Sequence, residues 1–427
     1  MQVLFLSDNF PPETNAPASR LHEHAKRWVA DGHAVTVITC APNFPQGKVH
    51  EGYRNAWYSV SELDGIRVVR VKTFIVANKG FALRTLDYMS FMVAGVIGGL
   101  LQRRPDVIVA TSPQFFAAVG GWFLAALRRI PFVFELRDLW PASLEAVGAL
   151  KGSRLLRWFE RLELFLYRRA RGIVSVTHSF VDDLERRGIP RSKVQVVTNG
   201  VDLEQYQPLS GPSDYRTELG LDGKCVIGYV GTHGMAHALH NVIDAAERLR
   251  ERSDVHFLFV GDGAAREELI ARARERDLQN ITFQPSLPKA RMPAVWGACD
   301  VALVHLRDTP LFETVIPSKI FEAMGMGLPI LIASPRGEAT HIVERCGAGV
   351  VVPPENPTAL ADAVTRLAED RPQLRQLARA SRNAAPGFSR DHLAREMLNA
   401  LAGWVGLPAR LPSVREHREQ REARKAA

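Results

Sequence analysis

The sequence predicts an α/β protein made of two doubly wound, Rossmann-like domains facing across a cleft. Three observations point there: the length, the alternation of element types, and a break in mid-chain. A chain of 427 residues exceeds what one ordinary hydrophobic core sustains. Short valine- and isoleucine-rich runs alternate with longer helical patterns, as in parallel sheets covered by helices. The series breaks at Asn199-Gly200-Val201-Asp202, and Tyr206 to Ser213 is rich in proline, serine and glycine, which reads as an interdomain linker. Two such units set two rows of strand carboxyl ends opposite each other, where ligands bind.

The first series of strands runs Val3 to Ser7, Ala34 to Thr39, Arg67 to Val71, Asp106 to Ala110, Phe132 to Glu135, Gly172 to Val176 and Val194 to Val197. The second runs Cys225 to Val230, Val255 to Val260, Ile281 to Phe283, Val301 to Val304, Pro329 to Ile332 and Gly349 to Val352. Residues 1–207 and 208–388 form the two domains, 389–405 a helix beyond the second sheet, and 406–427 a basic tail. In that tail Arg415/Glu419 and Arg418/Glu422 are spaced to pair along a helix, so it reads either as a solvated helix or as a membrane-recruiting segment.

Lysine and arginine outnumber acidic residues 54 to 46, a formal charge of +8. That excess suits an anionic partner such as a phospholipid surface, a lipid-diphosphate or nucleic acid. Cys40, Cys225, Cys299 and Cys346 are widely separated, which excludes a zinc-ligand spacing and argues for a reducing compartment. No basic leader precedes the first strand, and the most apolar stretch, Tyr88 to Leu101, is short of the roughly 20 residues a bilayer crossing needs. The expected location is cytoplasmic. Phe74 to Leu101 reads either as core or as a surface resting on a bilayer, flanked by Lys72, Lys79 and Arg84.

Neither half carries Gly-x-Gly-x-x-Gly after its first strand, and no Gly-x-x-x-x-Gly-Lys-Ser/Thr occurs. Dehydrogenase and P-loop chemistry are therefore disfavoured. The segment Pro317-Ser318-Lys319-Ile320-Phe321-Glu322-Ala323-Met324-Gly325-Met326-Gly327 instead predicts a short helix with proline at its first helical position, leading into a strand. Its leading amides and dipole form an anion site, with Lys319 and Glu322 on one face. Gly231-Thr232-His233-Gly234 follows the strand ending at Val230 and reads either as a second wall of that site or as an ordinary turn. Gly263, in Val260-Gly261-Asp262-Gly263, allows the backbone to approach a ligand closely, and Asp262 is placed to cap the next helix.

These segments resemble the donor site of the family 4 retaining glycosyltransferases, and the resemblance spans nearly the whole chain. It implies the two-domain GT-B fold, an acceptor-side domain over 1–207, a nucleotide-sugar domain over 208–388 with Gly263 near the nucleoside, and the 389–405 helix crossing back to the first domain. The family's two glutamates, separated by seven residues, fall here on Thr314, with Glu313 one position away, and on Glu322. The Pro-Ser-Lys form resembles the WbuB-like branch that builds O-antigen and capsule, including N-acetyl-fucosamine transferases. The donor implied is a UDP-sugar, the acceptor a lipid-diphosphate-linked saccharide, with peripheral contact to an anionic membrane and no nucleic acid partner. Positions after the first loop that are often basic read Met235-Ala236-His237-Ala238, which moves the cationic role to Lys319 and His233. No Asp-x-Asp occurs, so no metal or other cofactor is expected, and helix amides with Lys319 are expected to meet the leaving charge.

In the first domain, Glu13, Asn15 and Ala16 occupy a loop where the family often has glycines meeting donor or acceptor. Gly32-His33 reads as a helix cap and packed histidine. Arg137 and Asp138, in Glu135-Leu136-Arg137-Asp138-Leu139-Trp140-Pro141, stand near the transferred sugar by resemblance. Arg137 binds an acceptor phosphate or pairs with Glu135 or Asp138, and Asp138 is the base candidate. Two readings of other classes stay open: a nucleotide-sugar 2-epimerase of the same architecture, and a catalytically silent membrane or nucleic-acid adaptor.

Overall fold

A computed structural model describes residues 1–13, 15–44, 46–76, 81–112, 114–139, 154–211 and 213–407. Thr14, Lys79, Trp140, Pro141 and the tail pairs Arg415/Glu419 and Arg418/Glu422 lie outside them. The chain divides into two compact units, one of Met1–Thr198 with the chain from Leu393 onward, the other Asn199–His392.

The first unit is built on β1 (Gln2–Leu6), β2 (Ala34–Cys40), β3 (Tyr58–Leu63), β4 (Ile66–Val71), β5 (Val107–Thr111), β6 (Phe132–Leu136), β7 (Gly172–Ser175) and β8 (Val194–Val196). They form one sheet in the order β3-β4-β2-β1-β5-β6-β7-β8. All pairs are parallel except β3 with β4. Burial of both faces explains why β1, β5 and β6 read as continuous apolar runs. The helices Phe81–Leu100, Phe115–Arg128 and Arg154–Arg169 cover one face over Leu6, Ile38, Val69 and Phe134. The helices Ala16–Ala30 and Arg390–Val405 cover the other over Val3, Phe5 and Val37.

The last helix is tied in by the Trp28 indole N–H, which donates to the Ala394 carbonyl at 2.8 Å. Gly172 makes room for its indole, since a Cβ there would lie 2.1 Å from Trp404. Gly32, at φ +83, follows the Ala16–Ala30 helix and His33 is buried, the cap-and-packing role its sequence suggests.

The first series of strand expectations omits β3. This strand is an antiparallel edge exposed along nearly its whole length, so it lacks the apolar run that marks the buried strands. The Asp64-Gly65 turn joining it to β4, at φ +49 and +75, is the hairpin signal that would have found it.

The second unit contains β9 (Cys225–Val230), β10 (Val255–Val260), β11 (Ile281–Gln284), β12 (Val301–His305), β13 (Ile330–Ala333) and β14 (Gly349–Val352). Their order is β11-β10-β9-β12-β13-β14, with every pair parallel. The order reverses between β9 and β12, and doubly wound sheets bind ligands outside the strand carboxyl ends at such a switch point. The unit begins earlier than the 207/208 division read from the sequence. Val201 donates to the Phe388 carbonyl and accepts from Arg390, both at 2.9 Å, and packs with Tyr206 in the core around Trp296 and Phe321. Among the described residues no helix is long and apolar enough to cross a membrane.

Candidate functional site

The loop after β9 sits at the switch point and is shaped by glycines. Gly231 adopts φ +128, and a Cβ on it would lie 3.3 Å from the Lys319 ammonium nitrogen. The loop after β10 is laid directly against it. Cβ atoms on Gly261 and Gly263, at φ +149 and +152, would meet the Gly231 carbonyl at 1.9 Å and the His233 carbonyl at 2.5 Å. The His233 amide donates to the Asp262 carbonyl at 2.8 Å and its carbonyl accepts from Ala265 at 2.9 Å. Asp262 does not cap the following helix. Its carboxylate accepts from the Gly263 amide at 2.7 Å, and the helix starts at Arg266 with Ala265 before it.

Lys319 opens the Lys319–Met326 helix and points inward. Its ammonium lies 3.6 Å from the centre of the Tyr229 ring and has no hydrogen-bond partner. Burial pushes its pKa down to about 7, while the nearby Glu322 carboxylate pulls it back up. The ring face acts in the same direction as Glu322, since a desolvated cation over an aromatic face is favoured by roughly 2 kcal/mol. The Tyr229 hydroxyl donates to the Thr232 carbonyl at 2.8 Å, so one side chain supports both the ammonium and the glycine loop.

Pro317 precedes the cap residue Ser318 instead of occupying the first helical position. Its carbonyl accepts from Ile320 at 3.2 Å, and the Ser318 carbonyl accepts from Phe321 at 3.0 Å and Glu322 at 3.3 Å. The amides preceding that first turn of bonds are those of Ser318 and Lys319, a smaller donor row than the sequence suggests.

His233 does not supply a cation. Fully buried, with neither ring nitrogen hydrogen-bonded, it has its pKa lowered to about 4 by burial and by the charges of Arg266 and Lys319. A clasp the sequence does not reveal joins the Met235–His237 turn after β9 to the end of β12. His237 Nδ1 lies 3.2 Å from the His305 carbonyl, and His305 Nδ1 lies 2.7 Å from the His237 carbonyl.

Glu322 is half-buried, and the Trp296 indole N–H donates to its Oε2 at 3.1 Å. One carboxylate oxygen is thus fixed by a partner absent from any local motif. Thr314 turns its hydroxyl back to the Leu311 carbonyl at 3.0 Å, while Glu313 is exposed. A Cβ on Gly337 would come within 2.0 Å of the Glu313 carbonyl, so this glycine seats the 310–313 turn.

In the first unit, Asn15 caps the Ala16–Ala30 helix by accepting from Ala18 at 3.0 Å, with ordinary extended angles of φ −66 and ψ 162. Ala16 is simply the first helical residue. Glu13 is buried, and its Oε1 accepts from the Asn43 and Phe44 amides at 2.8 and 2.9 Å while its Oε2 has no partner. The Glu135 carboxylate is taken by Arg20, which donates from Nε at 2.9 Å and also bonds the Val197 and Thr198 carbonyls. Arg137 is held through its backbone, whose amide donates to Ser112 Oγ at 2.8 Å. Burial lowers its pKa to about 10, so it stays charged at neutral pH. The amide of Asp138 also donates to Ser112 Oγ, at 3.2 Å. Among the described residues no group of three or more His, Cys, Asp or Glu side chains is placed to hold a metal.

Two sequence families match in tandem, the glycosyl transferase 4-like domain over residues 15–200 and glycosyl transferases group 1 over residues 224–370. The chain belongs to the GT-B glycosyltransferases. It is 27% identical over 416 residues to the putative colanic acid biosynthesis glycosyl transferase WcaI of Escherichia coli, covering 94% of this chain and 100% of that protein. It is also 27% identical over 380 residues to a GDP-mannose-dependent alpha-mannosyltransferase of Mycolicibacterium smegmatis, covering 87% and 90%. Among solved structures, Anabaena HepE in complex with UDP superposes with a TM-score of 0.70 at 19% identity, covering 94% of this chain and 100% of that one. In a glycosyltransferase, charge develops on the departing phosphate, and preorganised donors answer it best where water is excluded.

Proposed function

We propose that this glycosyltransferase moves a sugar, with retention of configuration, from a UDP-sugar to a lipid-linked saccharide during assembly of a surface polysaccharide, at the cytoplasmic face of a membrane. The observation that carries the reading is the buried, unpartnered Lys319 ammonium facing Gly231 at the β9–β12 switch point. A diphosphate is the ligand class such a cation and glycine loop suit. Gly231, Thr232, His233, Gly234, Pro317 and Ser318 would line the phosphates, with the Thr232 and Gly234 amides as the loop donors, since those of Gly231 and His233 donate to the Val260 and Asp262 carbonyls. Glu322, oriented by Trp296, would accept the ribose hydroxyls near Gly263. No metal is required, because Lys319 and the main-chain donors meet the leaving charge.

The oxygen of the departing phosphate is well placed by chemistry to take the acceptor proton on the same face, so no protein nucleophile is needed and positioning supplies much of the acceleration. Asp138 is the protein group to test as a base, and Arg137 as the clamp for an acceptor phosphate. The likeness to HepE with UDP supports the donor class, and the likeness to WcaI supports the process. The branch resemblance favours an N-acetylated deoxyhexose.

The test is a panel of UDP- and GDP-sugars offered with lipid-diphosphate acceptors, with products read by mass and linkage. UDP release stimulated by acceptor, with a larger saccharide formed, is expected. A GDP-sugar used in preference would overturn the donor assignment. Isomerised sugar formed without acceptor would replace transfer by epimerisation.

A further inference from the structure

The apolar side chains left exposed concentrate on one helical layer of the first unit. On the Phe81–Leu100 helix, Leu86, Val93, Ile97 and Leu100 recur at helical spacing on the outer face, with Ile97 56% exposed. Phe123 and Leu127 on the Phe115–Arg128 helix and Trp158 on the Arg154–Arg169 helix continue it. The opposite side of the same helices carries Phe91, Val96 and Leu124 into the core, so the core reading of the 74–101 region holds for that face, while the outer face is exposed. The helices form one surface because their contacts are close. A Cβ on Gly99 would strike Leu124 at 2.3 Å, and the Phe115 and Phe159 rings meet edge-on at 6.0 Å.

Arginines border the stripe. Arg84, Arg103, Arg104, Arg129, Arg157 and Arg161 are all exposed. At the ends of the second and third helices lies a cavity of about 600 Å³, lined by Arg168, Arg169, Arg171 and Lys193 beside Trp122, with no carboxylate among its lining residues.

We propose that this layer docks on an anionic phospholipid bilayer, its apolar stripe entering the acyl boundary and its basic cavity receiving a lipid phosphate. A patch of large apolar side chains this extended marks an interaction site, and apolar area rimmed by guanidinium groups matches a headgroup boundary. A second copy of the chain fits poorly, since a two-fold interface apposes identical patches and would bring arginine rims together. The inference deepens the reading of a membrane-borne acceptor and rests on it for its biological purpose, but its own test needs no catalysis.

Flotation of the full chain with phosphatidylglycerol vesicles is expected to exceed flotation with phosphatidylcholine by at least about tenfold and to fall with added salt. Ile97→Asp with Phe123→Asp should abolish it. Arg168→Glu with Arg169→Glu should cut it by about tenfold, with circular dichroism and turnover of a lipid-free acceptor unchanged in both. Failure of the wild type to float, or charge variants floating like wild type, would overturn the proposal. So would a dimer in solution that Ile97→Asp dissolves without any vesicle binding. Flotation without glycosyl transfer would leave the docking surface standing and sink the function. Transfer to a soluble acceptor without flotation would do the reverse.

Discussion

At the carboxyl end of β9 the chain presents Gly231 and the Lys319 ammonium, whereas at the carboxyl end of β1, the reversal point of the other sheet, it presents Asp8 and the nearby Glu13. The topology is the same and the charge is opposite. Around Asp8 the surroundings are acidic: burial lifts its pKa to about 8, against the Asn9 hydrogen bond at 2.7 Å and with help from Glu13 and Asp87. Asp87 itself is lifted to about 6 by burial, and Glu13 is raised by the same cause. A carboxyl half-protonated near neutrality both donates and accepts hydrogen bonds, which suits neutral hydroxyls and repels phosphate. An ammonium with glycine-loop amides suits phosphate. The doubly wound sheet supplies a crevice twice, and the residues closing each crevice decide what it can hold.

The sharpest way to break this comparison is Lys319→Ala. Loss of a preorganised cation at the leaving phosphate should lower kcat by roughly a hundredfold to a thousandfold, read in a UDP-release assay, while Tm rises. The stability sign follows from protons. The unfolded lysine stays protonated to its ordinary range and the folded one only to about 7, so the unfolded state binds more protons between those values and wild-type stability climbs with pH there. The gain from Lys319→Ala should therefore be largest below pH 7 and shrink above it. Turnover near wild type would remove Lys319 from the mechanism.

Gly231→Ala is milder. A methyl 3.3 Å from the ammonium, on a backbone at φ +128, imposes strain of about 1–3 kcal/mol, so donor KM should rise by about tenfold or more with a smaller change in kcat. Smaller again is a proton count. A bound diphosphate favours the charged lysine, so UDP binding above pH 7 should take up close to one proton, and affinity should fall by up to about tenfold per pH unit there. Calorimetry in buffers of different ionisation heat reads it directly. No uptake near pH 8 would mean that the ammonium does not meet the phosphate.

Much of the donor-side geometry was legible because its signals are local. Pro317 to Gly327 and the Gly231 loop are short segments whose glycines and helix start follow from neighbouring residues. What stayed hidden came from distant partners. Tyr229 under Lys319, Trp296 on Glu322, the His237–His305 clasp and Arg20 on Glu135 are contacts between elements far apart in sequence, and no periodicity records them. His233 shows the same limit: its type suggests a cation, but burial between two loops makes it neutral. Asn15 looked like a replacement for a loop glycine and is a helix cap.

The acidic crevice gives the finest test, because it should respond to pH in the opposite sense from Lys319. Asp8 as a residue is partly exposed, yet its carboxyl lies in desolvated surroundings beside Cys40, whose thiol donates to the Asp8 carbonyl at 3.1 Å. An acid whose folded pKa stands near 8 and whose unfolded pKa stands near 3.8 binds more protons when folded across that window. Wild-type stability should then fall as pH rises from about 4 to 8, with Asp87 and Glu13 adding to the slope at its lower end. Asp8→Asn keeps the side chain's shape and abolishes its share, so the variant's Tm should match wild type at about pH 4 and below and pull ahead steadily, by a few degrees or more, up to about pH 8. Donor KM should not move, since this carboxyl belongs to the other crevice. A Tm–pH curve for Asp8→Asn that runs parallel to wild type would show the Asp8 carboxylate ionised at neutrality, and the two switch points would differ in sign of charge but not in the protonation chemistry argued for them.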